Sequence, residues 1–122
     1  MTNDDAPVLD DAVLAELRES TGGDDDFVRE LVDAYVSEAT GYLEAMTVAA
    51  AAEDADAMVR PAHTLKSSSA TLGAMRLAGI SRTLEESARS GRADDFAADV
   101  ERAQAAWAST LTVIPSMLAQ SA

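Results

Sequence analysis

The sequence predicts an all-α protein: an up-down antiparallel four-helix bundle with a short additional N-terminal helix. Three observations carry that expectation. Apolar residues recur at helical spacing along most of the 122 residues, and no stretch alternates as a strand would. Hydrophobic residues make up 48% of the chain but aromatics only 4%, which suits helices packed on Ala, Leu and Val better than a β-sandwich. The connecting segments are short, so successive helices are expected to be antiparallel neighbours.

A first helix is expected over about 10–21, opening after Asp10 or Asp11, turning Leu14 and Leu17 inward and ending near Thr21, Gly22 and Gly23. Asp24, Asp25 and Asp26 then supply an N-cap and acids that suit the dipole of a long second helix. Its stripe reads Phe27, Leu31, Tyr35, Tyr42 and Met46, flanked by Val28, Val32, Val36 and Leu43. Gly41 weakens that helix by up to ~1 kcal/mol without stopping it. After a turn around 52–56, a third helix runs to near Gly73, read as starting near Asp56 and bending at Pro61. Leu77, Ile80 and Leu84 mark a fourth, closed by Ser90, Gly91 and Arg92. The fifth is spaced on Phe96, Val100, Ala103, Trp107, Leu111, Ile114 and Leu118, with Pro115 bending or fraying its end. The whole chain, 1–122, reads as one domain whose bundle core spans about 24–119.

A net charge of −13 argues against binding nucleic acid or an anionic membrane surface. The absence of cysteine removes disulfides, thiol nucleophiles and thiolate metal sites. The acidic start is no signal peptide, and no apolar run approaches the ~18 residues of a membrane span. A soluble, cytoplasmic, stand-alone protein is expected.

The charge is unevenly placed. All 22 acidic residues lie outside 57–84, where an even spread would put about five. That stretch holds Arg60, His63, Lys66, Arg76 and Arg82 instead, and His63 and Lys66 are the chain's only histidine and lysine. At about 100° per residue, Val59, Arg60, Lys66, Ser67, Ala70 and Ala74 fall within about 60° of His63 on a helical wheel. Met58, Ala62, Leu65, Ser69 and Leu72 fall on the opposite, core side. The histidine is therefore expected to face outward, on a flat surface of small side chains with cations beside it.

Two readings of these residues stand at this point. His63 is a solvated surface histidine beside a composition-biased serine run, or it accepts and donates a phosphoryl group. An imidazole is largely neutral and nucleophilic at pH 7, and a neighbouring ammonium favours that form and could hold anionic oxygens. Small neighbours leave room for a docking protein. General-base hydrolysis fits poorly, with no Ser or Cys nucleophile and orienting partner in evidence. A metal site fits least, with no acidic residue within a turn on the His63 face and only Asp56 two turns back.

The segment Ala62-His63-Thr64-Leu65-Lys66-Ser67-Ser68-Ser69-Ala70-Thr71-Leu72-Gly73-Ala74 resembles the signature of histidine-containing phosphotransfer (HPt) domains of bacterial multistep phosphorelays. The likeness extends to the helices before and after it, over roughly 10–112. The resemblance implies a four-helix bundle in which His63 is phosphorylated through Nε2 and Lys66 contacts the phosphoryl oxygens. It implies a carrier without kinase activity or a cofactor of its own, the Mg²⁺ residing in the partner's acidic pocket. The implied partners are response-regulator receiver domains or a hybrid histidine kinase, met by a monomer. Ser67 stands where many members have Gly. Glu85 falls where a glutamate holds the ring Nδ1–H in chemotaxis-kinase phosphotransfer domains; read alone, it is a surface carboxylate closing off the basic stretch. Val59, Ala70 and Ala74 are the expected apolar docking contacts, with Arg60 and Arg82 supplying charge. The alternatives are a module of the same fold that binds receivers without transferring phosphate, and the phosphotransfer segment of a larger ATP-using histidine kinase.

Overall fold

The computed structural model describes residues 6–119, with side chains described through Ser116. Five helices follow in order: α1 (Asp11–Ser20), α2 (Asp25–Ala51), α3 (Ala55–Thr71), α4 (Met75–Arg89) and α5 (Phe96–Ala119), with no strand among the described residues. Three of them open on an aspartate. Asp10, Asp24 and Asp54 each accept a backbone N–H of the first turn at 3.0 Å, from Ala12, Phe27 and Ala57. Part of the acidic excess is thus spent on capping, and further acids in those first turns suit the helix dipole.

The four long helices close into a ring: α2 and α4 each pack against both α3 and α5. Met46, Met58, Leu65, Leu77, Ile80, Leu84 and Phe96 are fully buried in the centre. Buried Ala39, Ala62, Ala78 and Ala103 keep the helices close. The expected stripes hold at Tyr35 and Met46 of α2 and at Phe96, Val100, Ala103, Trp107 and Ile114 of α5, with a shift of one residue at one point in each. On α2 it is Val28, not Phe27, that enters the core, and Phe27 is exposed. On α5 Thr110 is buried and the expected Leu111 is exposed; the Thr110 hydroxyl donates to the Ala106 carbonyl at 2.8 Å, so its burial leaves no unsatisfied polar group. Leu118 lies outside the described side chains. Pro61 is buried within α3, and α5 continues through Pro115 to Ala119.

The turn from α3 to α4 decides what the signature segment exposes. Helix α3 stops at Thr71, and Gly73 takes a φ of +84° that suits glycine. A Cβ there would stand 2.9 Å from the Asp10 carbonyl oxygen, since the Asp10 N–H donates to the Gly73 carbonyl at 2.7 Å. The chain before α1 is further bound through the Pro7 and Ala6 carbonyls, which accept from the Arg76 N–H and Nε. With α1 so placed over this end, Leu14 joins the core. Ala74, expected on the exposed face of α3, is 0% exposed: the helical wheel ends before it, and it forms the N-cap position of α4.

Across the bundle, the buried Tyr35 hydroxyl of α2 lies 2.8 Å from Ser69 Oγ of α3. Burial raises the Tyr35 phenol to about 12 despite that hydrogen bond. The ring also meets Trp107 of α5 edge-on, centroids 5.4 Å apart. Tyr35→Phe leaves a buried serine hydroxyl without its partner and is expected to cost about 1–2 kcal/mol in urea unfolding. Adding Ser69→Ala is expected to recover part of that loss, a coupling that a double-mutant cycle measures.

Candidate functional site

Residues 63 and 66 are one turn apart on α3 and share a face. Helix α4 packs alongside and contributes Glu85 and, one turn later, Arg89. The Glu85 carboxylate is only 6% exposed, an expensive place for a charge without partners. It has three. Its Oε1 accepts from Lys66 Nζ at 2.6 Å. Its Oε2 lies 2.9 Å from His63 Nδ1, accepts from Arg89 Nε at 2.9 Å and pairs with Arg89 Nη2 at 2.8 Å. Burial pushes the Glu85 carboxyl up, but the hydrogen bonds from Lys66, Arg89 and His63 and the Lys66 charge outweigh it and lower it to about 2.

An ionised carboxylate has no proton to donate. The short contact to His63 therefore requires Nδ1 to carry the hydrogen, and in the neutral ring this leaves the lone pair on Nε2. The His63 side chain is 52% exposed while its Nδ1 edge is held against the bundle. A hydrogen-bonded carboxylate thus selects which nitrogen is nucleophilic and holds the ring in one orientation. The arrangement is suited to attack by the imidazole on an incoming electrophile.

Ser67 is exposed beside this cluster, and Ala70 is half-buried one turn on. Lys66, Ser67, Ala70, Ala78, Gly79 and Arg82 line a shallow groove between α3 and α4. Arg60 and Arg82 are exposed, and Val59 is half-buried against the core. Arg82 donates to Glu86 at 3.0 Å, an exposed pair of the kind that contributes little. Ala74 does not reach this face.

The Hpt domain family matches residues 30–121. The chain belongs to the Hpt domain family. It is similar to the crystal structure of histidine-containing phosphotransfer protein B (HptB) from Pseudomonas aeruginosa PAO1, with a TM-score of 0.84 and 34% identity over 94% of this chain and 97% of that one. No curated protein matches the chain. Membership in the family assigns it a histidine phosphotransfer role in a phosphorelay.

In this Hpt domain the reading of Glu85 as a surface carboxylate gives way to a buried one at the centre of the charge cluster. Arg89 joins the cluster from outside the basic stretch that the sequence marks. The signal that points to it is the i,i+4 spacing from Glu85, which places the two on one face of α4. Because the folded Glu85 carboxyl lies below its ordinary value of 4.5, its ionised form favours the folded state fully above pH 4.5, and that stability is lost as pH falls toward about 2. Wild-type and Glu85→Gln proteins compared by urea unfolding from pH 6 to pH 2 are expected to show the wild type's relative stability falling within that window.

Proposed function

We propose that His63 is the residue that carries the phosphoryl group, accepting it from an aspartyl-phosphate receiver domain and passing it to another. The observation that supports this most is the Nδ1–Glu85 contact, which leaves a lone pair on Nε2 of the chain's only histidine. In the transfer, Nε2 bonds to phosphorus as the P–O bond to the receiver's aspartate breaks. The aspartate carboxylate departs with the electron pair of that bond. Nδ1 keeps its proton, and Glu85 stabilises the positive charge that builds on the ring. Onward transfer reverses these roles with a second aspartate as nucleophile.

Lys66 has two further N–H donors beyond the one given to Glu85, suited to phosphoryl oxygens on a neighbouring turn. Ser67 and Ala70 offer a low surface for the approaching receiver. Val59 adds apolar contact, and Arg60 and Arg82 face the receiver's negative pocket. The Mg²⁺ that supports such transfers is assigned to the receiver. The one carboxylate at this site is already engaged by Lys66, Arg89 and His63, and among the described residues no group of three or more His, Cys, Asp and Glu could hold a metal ion.

In this reading the protein is a carrier without kinase activity, working as a cytoplasmic monomer between receivers or a hybrid kinase. Among the described residues no helix is long and apolar enough to cross a membrane. The net charge of −13 disfavours nucleic acid as a partner.

His63→Gln is expected to abolish uptake of labelled phosphate from a phosphorylated receiver while changing stability by less than about 1 kcal/mol, because the side chain is half exposed. Uptake by that variant at the wild-type rate would place the acceptor elsewhere.

A further inference from the structure

Glu85 is held by more than its ring partner and Lys66 require. Arg89 is 58% exposed on the last turn of α4, yet it directs two guanidinium N–H groups at the same carboxylate oxygen that accepts from His63. Oε2 thereby gathers Nδ1 at 2.9 Å, Arg89 Nε at 2.9 Å and Arg89 Nη2 at 2.8 Å, while Lys66 alone takes Oε1.

We propose that Arg89 is a positioning residue for phosphotransfer, its planar fork fixing Glu85 Oε2 so that His63 stays in the Nδ1–H form with the lone pair on Nε2. It acts in this way only if His63 is the acceptor, the reading given above.

Lys66 cannot substitute for that function. Its ammonium sits on a flexible stem with rotatable donors, and it follows the carboxylate wherever that group turns. The last torsion of a glutamate is broad and imposes little orientation of its own. The guanidinium has a fixed planar geometry, and two of its N–H groups on one oxygen leave that oxygen a single favourable place. With Arg89 removed, the carboxylate turns and Nδ1–H loses its acceptor for part of the time. The ring then populates the other neutral form, in which the proton sits on Nε2 and no lone pair remains there to attack phosphorus. Arg89 touches neither the ring nor the incoming phosphate; it acts through Glu85.

The chain has one histidine, so ¹⁵N spectra of the imidazole carry no overlap. At about pH 8.5, where an imidazole is neutral, wild-type protein is expected to show a protonated Nδ1 and an unprotonated Nε2. Arg89→Ala is expected to move both signals toward a mixture of the two forms. It is also expected to slow phosphorylation by the small donor phosphoramidate about tenfold, and to lower the melting temperature because the buried carboxylate loses a partner, so spectra and rates are compared well below that temperature. Arg89→Lys keeps the charge without the fork and is expected to recover only part of both effects. Wild-type spectra and rates in Arg89→Ala, or full recovery in Arg89→Lys, would overturn the assignment. A wild-type protein that takes no phosphate refutes the acceptor reading instead, whereas the spectra judge Arg89 without any transfer.

Discussion

One buried carboxylate organises the functional end of this molecule. Glu85 is ionised at the seam between α3 and α4, where a charge survives only if its oxygens are fully engaged. Two of the groups that engage it are the ones the proposed chemistry uses. In the proposed transfer the ring it holds is the nucleophile, and the ammonium on its other oxygen is the group that meets the phosphoryl oxygens. Structural need and chemical role therefore coincide in a single set of hydrogen bonds between two helices.

The scaffold serves that set by keeping α3 and α4 in register. The Gly73 turn, pinned by backbone hydrogen bonds from the chain before α1, fixes how α4 leaves α3. At the same end of α3, Tyr35 and Ser69 tie the helix to α2 from the inside. Residues 63 and 85 are 22 positions apart in sequence, and their 2.9 Å contact holds only while neither helix slides. Rigid helices are a more exact platform for such a contact than loops would be.

The distribution of charge has a matching logic. Between Asp56 and Glu85 no acidic residue competes for Lys66 or repels an incoming phosphoryl group. Glu85 is the first carboxylate after that stretch. Among the described residues, Asp10, Asp24 and Asp54 cap helices and Asp11, Asp25, Asp26 and Asp56 line their first turns, while Glu86 pairs with Arg82 at the edge of the face. The result is a local surface on which a dianionic group meets cations, on a molecule that is strongly negative as a whole.

The sequence by itself determined the all-α class, the number and order of helices, most of their ends, and His63 and Lys66 as neighbours on one helical face. These follow from local rules: apolar period, aspartate caps and glycine stops act within a few residues. Tertiary structure alone decided three things. It buried Ala74, because a wheel drawn past Thr71 continues a helix that the Gly73 turn has already ended. It put Val28 and Thr110 in the core in place of Phe27 and Leu111, because the neighbouring helices choose which edge of a broad apolar face they cover. It set Glu85 against His63 Nδ1, the place the family resemblance implies for it, and brought Arg89 to the same carboxylate, because the register of one helix against another depends on packing across the whole bundle and leaves no periodic trace in either segment.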